Sequence, residues 1–132
     1  MIPEAVEREL LALSQFGIDL EPYHQAAWIT VQVPKDATLV QTLPASLDQA
    51  ESEAIALAHA LPKSLLAIDE KAGRKIAQSL GIEIIGLVGI LIRAKEQRVI
   101  PAIKPLLDRV IQEAGFYLSP RFYQQILNDQ GE

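Results

Sequence analysis

The chain has no cysteine, so disulfides and thiolate metal sites are excluded. It also has no apolar run near the roughly 18–20 residues needed to cross a bilayer. The opening Met1-Ile2-Pro3-Glu4 turns charged at once and carries no secretory signal pattern. Together these absences predict a cytoplasmic protein. No internal repeat, low-complexity tract or linker divides the sequence, and its 132 residues predict a single domain over 1–132. An excess of positive charge is missing too. The net charge is −5, which makes a poor non-specific binder of nucleic acid, since phosphate affinity comes mostly from Lys and Arg displacing counterions. Carboxylates gathered to hold divalent cations would also give an acidic total, so the placement of the acids decides the matter.

What is present is the balance of an ordinary globular protein, with 49% apolar and 22% charged residues. Pro3 to about Phe16 is periodic and suits a helix, stopped by Gly17. Trp28 to Val33 is rich in aromatic and β-branched residues and predicts a strand ending at Pro34. Residues 34–46 read as a loop. Asp48 and Glu51 resemble a capping pair for a helix to about Leu61, which Pro62 breaks. Leu65 to Ile68 predicts a buried strand with Asp69 at its end, and Glu70 to Leu80 a helix closed by Gly81. Ile82 to Ile85 predicts the next strand. Helices follow over about 87–97, 103–114 and 119–128, and residues 129–132 are expected to fray. Short apolar strands alternating with amphipathic helices predict an α/β fold with a parallel sheet.

Three acids depart from the surface pattern. Glu9 falls in line with the stripe Val6, Leu10 and Leu13, and Glu53 in line with Ala50, Ala54, Leu57 and Leu61. Helical spacing therefore predicts that both carboxylates face inward. Asp69 ends a strand and precedes a helix, the place where open parallel sheets put their ligand sites. Carboxylates gathered there would repel one another unless cations lay between them, and oxygen-only ligands suit Mg²⁺ or Mn²⁺. Each acid also has a plainer reading. Glu9 and Glu53 can be boundary residues that snorkel or pair with an Arg, and Asp69 can be a helix N-cap. Asp48 and Glu51 read as capping residues, and His24 and His59 as surface residues. Gly86-Leu87-Val88-Gly89 lacks the third glycine and the acidic partner of a dinucleotide site and reads as a helix start. Lys71, Arg74 and Lys75, and later Arg93, Lys95 and Arg98, form two basic groups, either solvated helix faces or contacts to phosphate. The Trp28 strand reads as core in preference to a base-stacking platform.

Glu51-Ser52-Glu53-Ala54-Ile55-Ala56-Leu57-Ala58 followed by Leu65-Leu66-Ala67-Ile68-Asp69-Glu70-Lys71-Ala72-Gly73-Arg74 resembles the central signature of the PIN-domain nuclease superfamily. The stretches 81–91, 100–108 and 2–10 add to the likeness, which covers nearly the whole chain and is similar to a PIN-like bacterial and archaeal family of unknown function. The resemblance implies a three-layer α/β/α fold and a ribonuclease that uses Mg²⁺ or Mn²⁺, often the toxin of a toxin–antitoxin pair. It places the family's acids on Glu9, Glu53 and Asp69, as both catalytic and metal-holding residues, and implies RNA and an antitoxin protein as partners. It departs from the family at the start: the first strand, with its Asp, and the helix after it have no counterpart here. That departure predicts weak metal binding, impaired cleavage and, because strands at 28–33 and 65–68 would lose a neighbour, a homodimer. The competing readings are a non-catalytic PIN-like module that binds protein or nucleic acid, and a shortened product with no activity of its own.

Overall fold

The computed structural model describes all of residues 1–132, and the chain divides into two compact units, Met1–Ile84 and Ile85–Glu132. The first begins with a short strand β1 (Ile2–Pro3), helix α1 (Glu4–Ala12) and a 3₁₀ turn (Leu13–Phe16). Helix α2 (Glu21–His24) leads to strand β2 (Val31–Gln32), which lies parallel to β1 with Ile2 opposite Val31 and Pro3 opposite Gln32. Then come α3 (Ala37–Thr42), α4 (Gln49–Ala60), β3 (Leu65–Ala67), α5 (Lys71–Ser79) and β4 (Glu83–Ile85). The second unit holds α6 (Leu87–Glu96), α7 (Lys104–Ala114) and α8 (Pro120–Asp129).

The architecture is α/β, as expected, but the strands form two separate pairs, β1 with β2 and β3 with β4. Capping chemistry places the helices of the central stretch. Asp48 accepts from Glu51 N at 2.7 Å while Glu51 reaches back to Asp48 N at 3.2 Å, closing the capping box that opens α4. Gly17, Gly81 and Gly115 end their segments with φ of 75°, 74° and 66°, a conformation that suits a residue without a Cβ.

Several expectations are corrected. Within Trp28–Val33 only Val31 and Gln32 pair, and Trp28 is 80% exposed, so the tryptophan is not core. The segment lacks a partner along most of its length because β1, the strand beside it, has only two residues. The stretch 34–46 contains α3, opened by Asp36 accepting from Leu39 N at 2.9 Å, a cap hidden between two prolines. Residues 129–132 are not all frayed: the Glu132 carboxylate accepts from Ile103 N and Lys104 N at 2.8 and 3.0 Å and pairs with Lys95 at 2.8 Å.

Each unit has its own hydrophobic centre. In the first, Leu47, Ile55, Ala58, Leu66, Ala77 and Ile82 pack together, with Ile55 and Ala77 wholly buried. In the second, Leu91, Ile103, Leu107 and Ile126 do the same. Truncating Ile55 or Leu107 to Ala would leave a cavity costing about 2–5 kcal/mol.

Candidate nucleic-acid and cation site

Helix α4 carries two acids only two residues apart, and a helix turns about 200° in that interval, so their side chains leave it in different directions. Glu53 is 9% exposed, and its Oε2 accepts from Ala5 N at 3.0 Å. Its Oε1 accepts from Gln49 Nε2 at 2.7 Å, with an Arg8 guanidinium nitrogen 3.9 Å away. Ala5 lies in the first turn of α1, where backbone N–H groups have no partner within the helix. The residue before the helix is Pro3, whose side chain makes no capping bond. Glu53 supplies the missing acceptor from another helix.

Glu51 points elsewhere. A Cβ added to Gly73 in α5 would lie 3.4 Å from Glu51 Oε1, and 2.4 Å from the Ile68 Cδ1 methyl. The bare glycine makes room for the Ile68 methyl, and Glu51 Oε1 lies at ordinary contact distance from the same position. Burial raises the Glu51 pKa, and the charges of Asp48, Glu70 and Glu9 raise it further, against the lowering effect of the Asp48 N–H. Glu51 is therefore the acid on which the charges of other carboxylates act.

Glu9 is exposed, not turned inward; α1 buries Ala5, while Val6 and Leu10 are half-buried and Leu13 is 40% exposed. The stripe that suggested an inward Glu9 is itself only partly covered. Glu9 nonetheless lies near enough to Glu51 for its charge to act there. Asp69 is exposed in the connection between β3 and α5, and the N-cap of α5 is its neighbour Glu70. Glu53 is fastened to Ala5 and Gln49. Glu9, Glu53 and Asp69 do not form a metal-holding trio, and no group of three or more His, Cys, Asp or Glu residues is placed to hold an ion.

The sequence marks Glu51 as a cap, which it is, and gives no sign of the other carboxylates whose charge reaches it. Gly73, a glycine inside a helix where it costs roughly 0.5–1 kcal/mol against Ala, marks the close approach of Ile68. The donor chemistry fits Mg²⁺ or Mn²⁺. The charged groups that act on Glu51 are all carboxylates, and Mg²⁺ usually takes one or two carboxylates and keeps several waters. Glu51 with one further carboxylate would meet that smaller requirement. Just beyond, Lys71 and Lys75 of α5 are exposed and Arg74 is half-buried. In the second unit Lys95 is not a solvated face residue, being tied to Glu132 and to Gln130 O.

No helix is long and apolar enough to cross a membrane. No curated protein and no solved structure matches the chain. One family does, DUF3368, described as a PIN domain, and its match covers residues 1–132, including the α4 signature, Asp69 and Gly73. The chain belongs to this PIN-domain family.

Proposed function

We propose that this chain is a divalent-cation-dependent ribonuclease of the toxin type, paired with an antitoxin protein. In this reading Glu51, with Glu9 or Glu70 beside it, holds Mg²⁺ or Mn²⁺, and Asp69 is the strand-end acid that the family resemblance selects. Glu53, selected from the sequence for that role, instead joins α4 to α1. The observation that carries the reading is the partly buried Glu51 carboxylate, on which the charges of Asp48, Glu70 and Glu9 all act. Membership of a PIN-domain family supports it, since PIN domains generally use divalent metals.

When bound, the cation supplies a positioned water for in-line attack and offsets charge developing on the phosphate. The chain's own residues do the rest. Lys71, Arg74 and Lys75 follow Asp69 and Glu70 in the sequence and offer cationic contacts for the RNA backbone.

The test is cleavage of a single-stranded RNA with Mn²⁺ present or chelated. Slow cleavage that requires Mn²⁺ and is lost in Glu51→Gln and Asp69→Asn supports the reading. A second reading, a non-catalytic PIN module that binds RNA or protein, is favoured by the lack of a three-acid group. RNA retention without cleavage under any cation would establish that one instead.

A further inference from the structure

A groove of about 300 Å³ in the first unit borders the buried carboxylate of Glu53. That is the lower end of the range for small-ligand sites, roughly 300–1,000 Å³. Its apolar wall includes Val33, Pro34 and Val40, and its polar lining is Gln41, Gln49 and Glu53. The α4 fastening described above does not use up this carboxylate. A carboxylate has about four acceptor positions, and Glu53 takes one hydrogen bond on Oε2 and one on Oε1, with Arg8 at the longer distance of 3.9 Å. One position on each oxygen is left.

We propose that this groove is a nucleobase subsite that prefers guanine in a single-stranded RNA. Guanine carries two parallel donors, N1–H and N2–H, on its Watson–Crick edge, and a carboxylate with one free position on each oxygen matches that pair. The O6 acceptor beside them needs a donor, which the Gln41 carboxamide offers. The apolar wall takes the face of the ring. Uracil presents one donor between two carbonyl acceptors, and adenine and cytosine each present a single amino group beside an unprotonated ring nitrogen. Each would set an acceptor against the carboxylate. Unpaired RNA bases are read on such edges, and a good bidentate contact is worth about tenfold or more in discrimination.

The inference rests on the ribonuclease reading for its biological sense, but its test does not involve cleavage. The four nucleoside 5′-monophosphates are titrated separately against the full chain, with chelator present, and amide resonances are followed by NMR. All four carry the same phosphate, so a difference among them reports the base. The expected result is binding of GMP about tenfold tighter than that of the others, with shifts centred on residues 33–41 and 49–53. Glu53→Gln should erase the preference. Val40→Trp, which fills the groove and leaves Glu53 in place, should abolish binding while the rest of the spectrum is kept. Equal affinity for the four nucleotides, or GMP binding that Val40→Trp leaves unchanged, would overturn the proposal. GMP preference in a chain that cleaves no RNA would uphold the subsite and remove the ribonuclease reading alone.

Discussion

Glu53 Oε2 and Ala5 N meet at 3.0 Å across 48 positions of sequence, and this bond joins the middle of α4 to the first turn of α1. It is buried, so losing the acceptor leaves an N–H without water or partner, at about 1–3 kcal/mol. Glu53→Ala is expected to lower unfolding free energy by at least that amount in urea titration. Glu53→Gln keeps an oxygen for Ala5 N and should cost clearly less. Equal losses in the two variants would show that the bond to Ala5 contributes little.

Glu51 gives a prediction about protons. Its folded pKa is raised, so its neutral form is favoured in the native state relative to the unfolded chain. Stability from this group is therefore present below its unfolded pKa and is lost as pH rises through the raised folded value. A cation held beside Glu51 opposes the same burial and repulsion. Carbon-detected titration of the Glu51 carboxyl should show its pKa falling when Mg²⁺ is added. A Glu51 pKa indifferent to Mg²⁺, with other carboxyls moving instead, would place the ion elsewhere.

Glu132 behaves in the opposite sense. Its pKa is lowered from 4.5 to about 2 by the Ile103 N–H, then by Lys95 and the Lys104 N–H. Stability from this group is present above the unfolded value and is lost as pH falls toward about 2. Thermal melts of the wild type should therefore lose stability across that acid window more steeply than those of Glu132→Gln. Parallel profiles would mean that the carboxylate is not held at the start of α7 in solution.

Much of this was legible in the sequence because local chemistry dictates it. Asp48 with Glu51, Gly81, Gly115 and Ser119 each mark a helix end, and the structure uses every one. What was hidden depended on contacts distant in sequence. Periodicity put Glu53 inward correctly, yet could not say that its partner would be the Ala5 amide in place of a cation. The strand at Trp28 was overread because β-propensity expresses fit to a sheet, and β1 offers too little sheet to pair with. Glu132 looked like a loose end, since nothing local reveals a bond to residue 103.

The same exposed segment bears on assembly. Trp28 is 80% exposed, Val31 40% and Val33 61%, and β2 has β1 as its single strand neighbour. Apolar edges of this kind invite pairing with another chain. We expect a homodimer joined along residues 28–33, which Val33→Lys would convert to monomer in sedimentation velocity. A wild-type monomer at the highest soluble concentration would refute it.

Paramagnetic broadening locates the divalent cation that Glu51 is proposed to hold. Trace Mn²⁺ is added to the ¹⁵N-labelled chain, and the loss of amide signal is mapped along the sequence. Selective loss is expected around Glu51, Glu9 and Glu70, reversed by excess Mg²⁺ and absent in Glu51→Gln. Broadening spread evenly over the exposed acids, or a focus that survives in Glu51→Gln, would contradict it.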